Sequence, residues 1–538
     1  MTTINVVGFS SSKKTPGIFL SVVLGGVATS AAAAVKKILL MGNKITTAIP
    51  LASPLATSIA AGTQSDATPV ALNSADTAAT YFGRGAELHR MAKRALRQYP
   101  DATVTGVSVA ESAGNRSTVG ITFVTSANAA YTVRFRLGEY VIDVAVANGD
   151  NVTAIADTCA DAILSYPDLP WTAQNAAGIL TLSAKHPGPR GNRLPAWAAF
   201  VDSAGNETVI ISTGTVTSPG ATTGQWTTGT TSGGVVFGAT GTTQDTFALA
   251  LASVLTTRYD RIALACYDSA NVALVKSQVA TMAGVTSQKL QQYIFATNTA
   301  LATAITLATG VNDARGQCVW SYQNPISCEE IAAQVAAARL IGDAQAGGTL
   351  VGEATDPAAN LDGCELKDVL QQTAVGDRPL ATDIESALNN GITPLSPSGS
   401  NPGFMTIVRS VTTRSLDSLS QPNFANLDTS TVTIPDYCAD DLRSKLATTY
   451  KGKKLGVDAS DGSPPTAANV VTPSIVRGKM AAWLKEYEEA GIIRNVDTDL
   501  PLLQVIADTT VSGRLLAEVP VDPMPGLHQT AGNVRQVG

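Results

Sequence analysis

Histidine is nearly absent from this chain: there are three in 538 residues, His89, His186 and His528, in three unlike segments. Catalysis built on a histidine base therefore has almost no material. The six cysteines, at 159, 266, 318, 328, 364 and 438, are scattered, with no C-x-x-C pair and no histidine at ligand spacing, which argues against a structural zinc site. No G-x-S-x-G elbow, H-E-x-x-H or metal-binding carboxylate cluster occurs. No apolar run reaches the roughly 18 to 20 residues of a membrane span. Excess positive charge is missing too: the net charge is −6, which disfavours general binding to nucleic acid or an anionic membrane. The reading is a protein that is not an enzyme, with no cofactor, no direct nucleic-acid contact and no membrane insertion.

What remains is a folded composition, 44% hydrophobic and 15% charged with aromatics at 5%, rich in Ala, Thr, Ser and Gly. A chain this long divides into several domains. Residues 1–30 read as an extended arm. Within it Lys13 and Lys14 precede "GIFLSVVLGGVATSAAAA" in imitation of a signal peptide, but Pro16 and Gly25-Gly26 break the run. Residues 31–103 open a core domain with the buried strand "VKKILLMG" and then a helix. Residues 104–236 are dominated by strands, from "TVTGVSVAE" to a Thr/Gly-rich loop, and read as a β-rich inserted domain. Helix and strand alternate over 237–395, as in an α/β core with a largely parallel sheet. Residues 396–515 read as a C-terminal α+β domain, with helices at "DYCADDLRSKLATTYKG" and "TPSIVRGKMAAWLKEYEEAGII", and 516–538 as a second extended arm. The fold class is thus α/β and α+β multidomain.

Three stretches invite chemical readings. "YFGRGAELHRMAKRALRQYP" lacks the spacing and Lys-Ser/Thr end of a phosphate loop, and the third glycine of a dinucleotide fingerprint. On a helical wheel Leu88, Met91, Ala92, Ala95 and Leu96 form one face, leaving His89, Arg90, Lys93, Arg94 and Arg97 for solvent or a neighbouring subunit. "KHPGPRGNR", with Lys185, Arg190 and Arg193, reads as a strand-ending turn before an anion loop. The acid pairs Glu329-Glu330, Asp440-Asp441 and Glu488-Glu489 fall in helices and read as solvated faces. Ser327 stands as an N-cap with Glu330 at capping-box distance. Two extended arms around a body without a catalytic constellation point to a protein that binds copies of itself, by lending strands to a neighbour's sheet edge. A heterologous contact of that kind propagates into rings or filaments. An exported surface or adhesive β-rich protein is the competing reading.

In order along the chain, several segments resemble contractile phage tail sheath proteins of the Mu-like type. They are "ATYFGRGAELHRMAKRALRQYPDATVTGVSV", "EYVIDVAVANGDNVTAIADTCADAILSYPDLPWTA" with "GILTLSAKHPGPRGNRL", "DRIALACYDS", "ALNNGITPL" with "GFMTIVRSVTTRS", and "VTPSIVRGKMAAWLKEYEEAGIIRNVD". The resemblance implies a virion subunit, assembled in the host cytoplasm as stacked hexameric rings, that contracts to drive a tail tube through the host envelope. A bacteriocin or other contractile injection system would use the same fold. The implied partners are the subunit itself, the tail tube protein, and baseplate and tail terminator proteins. The arms would donate strands through Asn5, Val6, Val7, Phe9, Ile18, Phe19, Leu20, Leu527, Val534 and Val537. Arg477, Lys479 and Lys485 would face the tube. Cys159, Cys266, Cys318, Cys328, Cys364 and Cys438 become candidates for bridges between subunits after release into an oxidising medium.

Overall fold

The computed structural model describes residues 36–529 apart from 52–57, 213–214, 233–234, 342–352, 354–355, 373–374 and 460–466. An unbroken apolar strand needs cover on both faces, which a parallel sheet between helices supplies. Lys37–Asn43 is such a strand, with Ile38, Leu39, Leu40 and Met41 buried, and it lies inside a nine-stranded sheet. In spatial order the strands are Glu365–Leu370, Phe404–Ile407, Ile392–Pro397, Gly316–Trp320, Gln292–Thr297, Arg261–Leu264, Lys37–Asn43, Thr103–Val109 and Val70–Leu72. The six strands from Ile392–Pro397 to Thr103–Val109 pair in parallel, and antiparallel strands flank them.

Thr103–Val109 departs from the sequence reading, which grouped "TVTGVSVAE" with the inserted strands. It pairs with Lys37–Asn43 from Lys37 opposite Thr103 to Asn43 opposite Val109. Its last four residues are all buried, so it lacks the half-exposed alternation of a sandwich strand.

The β-rich region does show that alternation. Tyr131–Leu137 and Tyr140–Val146 bury every second residue, and they pair as a hairpin closed by Gly138 and Glu139. Pro195–Val201 adds to this sheet. A second sheet carries Trp171–Ala176, Ile179–Pro187, Arg116–Phe123 and Thr223–Thr228. Ile121, Leu180, Leu182 and Trp226 from one sheet and Val133, Phe135, Ile142 and Phe200 from the other share one core with Ile155, Cys159 and Ile163 of the Val152–Leu164 helix.

A third core unites the Ser430–Thr449 and Pro473–Glu489 helices through Ile434, Cys438, Leu442, Val476, Met480, Trp483 and Tyr487. The first of these helices starts six residues before the sequence reading, at Ser430, with Pro435 still in its second turn. There the lost N–H breaks only an early bond, so the helix tolerates a residue that usually ends one. Gln504–Ala507 and Leu515–Glu518 pair as an antiparallel ribbon beside them.

The glycine turn is as tight as the sequence requires. The Ala75–Phe82 helix ends at Gly83, φ 89°, and Gly85, φ 77°, leads into the Glu87–Gln98 helix. A Cβ on Gly85 would collide with Lys185 Nζ and the carbonyls of Leu169 and Pro167. Gly85→Ala is expected to lose at least about 2 kcal/mol, since the left-handed conformation alone costs roughly 1–3 kcal/mol for another residue. Urea unfolding checks this, and an unchanged midpoint would show that the turn relaxes freely.

Candidate functional site

The polar face of the Glu87–Gln98 helix is not left to solvent. His89, Arg90 and Arg94 are buried along with its apolar face, which corrects the wheel reading. The reason is the helix packed against it, Cys328–Arg339, an alanine-rich segment buried almost all round. Arg90 donates to Glu330 Oε1 at 2.6 Å, Glu329 Oε1 at 2.7 Å and Ser327 Oγ at 2.7 Å. Arg94 Nε donates to Glu330 Oε2 at 2.9 Å. Ser327 therefore makes no capping bond, and its hydroxyl turns instead to Glu330 at 2.7 Å. Burial alone would raise the Glu330 carboxyl, but Arg90 and Arg94 outweigh it and hold it at about 2. The solvated-face reading of Glu329-Glu330 fails here, because Glu330 is buried. It fails again at Asp441, which is buried and accepts from Tyr487 Oη at 2.6 Å.

The same helix reaches the inserted sheets. Lys93 Nζ donates to Glu139 Oε1 at 2.5 Å and to Tyr140 Oη at 2.8 Å, and Arg97 Nη1 to Glu139 Oε2 at 2.8 Å. His89 Nδ1 accepts from the Gly85 N–H at 3.0 Å, and burial lowers its pKa to about 4. It stays neutral and acts as an acceptor.

"KHPGPRGNR" does end a strand in a turn, Ile179–Pro187 followed by the 3-10 turn Pro189–Arg193, and its basic side chains are used inside the subunit. Arg190 Nη1 donates to Glu87 Oε2 at 2.8 Å, while its Nη2 meets Asn43 and Asp245. Asn43 ends one central strand, and Ala265, whose carbonyl also receives Arg190 Nη1, follows the strand beside it. In open parallel sheets this crevice, at the carboxyl ends of adjacent strands where the order reverses, is where ligands bind. Here the chain fills it with its own guanidinium. Lys185 donates to the carbonyls of Pro167 at 2.5 Å and Arg84 at 3.2 Å, and burial drops its pKa to about 7. Arg193 lies over the Tyr267 ring at 3.1 Å.

A second buried network grips the Ser430–Thr449 helix at the amino ends of the same strands. Arg315, just before Gly316–Trp320, donates two bonds of 2.7 Å to Asp436. Arg339 donates to both oxygens of Glu353 at 2.9 and 3.0 Å, and Arg261 pairs with the same carboxylate. Gln292 Nε2 donates to Thr433 Oγ1 at 3.2 Å, and Arg258 pairs with Asp440. Of these only Asp440 was singled out from sequence, as part of a solvated acid pair. The signal was present, since Arg261, Gln292 and Arg315 stand at the heads of otherwise apolar strands.

The residues expected to act between subunits fall as follows. Asn5, Val6, Val7, Phe9, Ile18, Phe19, Leu20, Val534 and Val537 lie outside the described residues. Leu527 is 79% exposed, and its carbonyl accepts from Asn360 Nδ2 at 3.3 Å. Beside it His528 Nδ1 meets Asp362 Oδ2 at 2.6 Å and Nε2 meets Asp428 Oδ2 at 3.4 Å. Arg477 donates to the carbonyls of Leu503 and Leu500 at 2.9 and 3.0 Å, and Lys485 pairs with Glu488 and Asp497. Lys479 is exposed beside the Trp483 ring, 5.7 Å from its centroid. Cys159, Cys266, Cys318, Cys328, Cys364 and Cys438 are all buried. Burial raises the thiols of the first five, Cys364 to about 11, so each is a poor nucleophile until its segment opens.

No helix among the described residues is long and apolar enough to cross a membrane. The crevice at the carboxyl ends of the central strands is thus occupied by Arg190, which ties the inserted sheets to the core through Glu87 and Asp245. Residues 422–536 match the family model of the phage tail sheath C-terminal domain, a stretch that takes in both late helices and the ribbon. The match over this stretch supports a structural role in a phage tail sheath. The match does not separate a Mu-like sheath from any other.

Among solved structures, the sheath tail protein of Desulfitobacterium hafniense is similar at 11% identity and TM-score 0.43, covering 93% of this chain and 99% of that one. The sheath tail protein of Listeria innocua is similar at 12% identity and TM-score 0.43, covering 93% and 94%. No curated protein matches.

Two outcomes are expected. Arg315→Met strands the Asp436 carboxylate and should cost about 3–5 kcal/mol, whereas Arg315→Met with Asp436→Leu recovers most of it. Denaturant unfolding distinguishes them, and equal losses in the single and double variants would remove the pair from the junction.

Hydrogen bonds to Asp362 first and Asp428 second raise the His528 pKa to about 9 from an ordinary 6.5. The docked segment thus holds the extra proton. Its stabilisation is complete below pH 6.5 and is lost as pH rises through about 9. Hydrogen exchange around 519–529, corrected for the intrinsic pH dependence, should lose protection across that window, and a flat profile would exclude the coupling.

Proposed function

We propose that this subunit stacks as hexameric rings around a tail tube, and that contraction of the sheath drives the tube through the host envelope. Its partners on this reading are copies of itself, the tube protein, and baseplate and terminator proteins, with assembly in the host cytoplasm. No nucleotide is required, because the work comes from two packings of one lattice.

The observation that carries the reading is the contrast between sheet edges. The Glu365–Leu370 edge of the large sheet is closed: it bulges, Asp368 sits at φ 57°, and the carbonyls of Glu365, Lys367 and Asp368 accept from Gln98, Gln334 and Arg94. The ribbon of Gln504–Ala507 and Leu515–Glu518 is different. Among the described residues neither strand has a second strand partner. Val505 anchors it on the late helices, and its outer edges are left open to further strands. Strands lent by the arms of neighbouring subunits, residues 5–9 or 18–23 and 527–537, would complete it and leave the lattice connected while it shortens.

Arg477, Lys479 and Lys485 on the Pro473–Glu489 helix are the tube-facing charges on this reading. Arg477 and Lys485 already have partners within the subunit, so their tube contacts would be exchanges worth roughly 0–1 kcal/mol each. Weak contacts suit a sheath that must let go.

Negative-stain microscopy of the purified protein should show long hollow tubes with a helical surface. Deleting residues 527–538 should abolish tube growth and leave the melting temperature of the body nearly unchanged. Tubes of normal length from the deletion would eliminate the C-terminal arm as the linker.

A further inference from the structure

Between the Ser269–Ala283 and Leu301–Val311 helices lies a groove of about 730 Å³. It is open because its walls are small: Ala273, Ala302, Thr303, Thr306 and Gly310 line it. Gly310 is the informative wall. A glycine inside a helix destabilises it relative to alanine. Among the described residues nothing asks for one here, since a Cβ at this position would meet no atom of theirs within 4 Å. The close approach of another backbone gives it a reason.

The charges of the groove have one sign. Its only charged lining residues are Arg193 and Lys276. Arg193 is stacked over Tyr267 and, among the described residues, pairs with no carboxylate. Lys276 has its amine on the Val311 carbonyl at the groove's end. An apolar trough with a cationic rim, on a chain of net charge −6, complements an apolar side chain flanked by acids. The chain's own surface offers such pairs, for example Leu380, 67% exposed, with Asp383 and Glu385 on the helix that follows.

We propose that this groove docks a second copy of the same chain, which enters it with an exposed apolar side chain beside a carboxylate. The inference rests on the sheath reading, because only a self-assembling subunit meets its own copies at each step of growth. On the sheath reading the contact is heterologous and repeats without closing on a pair.

Thr306→Trp and Gly310→Leu fill the groove from exposed positions. Each should cut the polymer pelleted in a sedimentation assay roughly tenfold or more. The circular dichroism and melting temperature of the soluble subunit should stay as in the wild type. Arg193→Gln, which keeps the groove open but removes its unpaired cation, should weaken polymerisation and flatten its salt dependence. Normal polymer from both filled variants overturns the proposal, and would leave the groove to the tube protein or to a small apolar acid. A wild-type chain that stays monomeric overturns the sheath reading itself, whatever the groove variants do.

Discussion

Buried guanidinium groups matched to buried carboxylates are the constraint on which the rest of this structure depends. A charge removed from water is costly unless its partner is in place, so such pairs specify a single arrangement more strictly than apolar contact does. Arg90 and Arg94 impose that condition between two helices of the core, and Arg190 between the core and the inserted sheets. Arg315 imposes it between the core and the C-terminal domain, while Arg261 and Arg339 close on Glu353 beside that junction. The two sets sit at opposite ends of the parallel strands, which turns the central sheet into a common base for both attachments.

This placement bears on function through what it removes and what it leaves. The crevice at the carboxyl ends of the central strands is taken by Arg190, so a fold that elsewhere holds ligands carries a structural pin here. The edge of the large sheet is blunted, while the ribbon of the C-terminal domain keeps strand-pairing capacity. On the proposed reading, a subunit with a braced interior and a receptive ribbon suits a lattice whose members stay linked while their packing changes.

Much of the fold was legible because periodicity reports burial. "VKKILLMG" reads as a two-sided buried strand, "AYTVRFRLG" as a one-sided strand, and the alternation after residue 237 as an α/β core, and each forms the element expected. Thr103–Val109 and the start of the Ser430–Thr449 helix were misread, since the partner strand and the packing that override Pro435 are distant in sequence. The charged residues were least legible. A wheel separates polar from apolar but is blind to a second helix arriving over the polar side, and so Arg90 was left to solvent or a neighbouring subunit and Glu330 to solvent.

The sequence by itself determined the classes of element, the lack of catalytic and metal-binding material, and the ordered set of segments that resemble a tail sheath. Those properties are local, set by side-chain type and spacing along the chain. Only the tertiary structure decided what the basic face of "GRGAELHRMAKRALRQ" is for. Its arginines could be taken out of water only where Glu330, a residue some 240 positions away, arrives at hydrogen-bond distance.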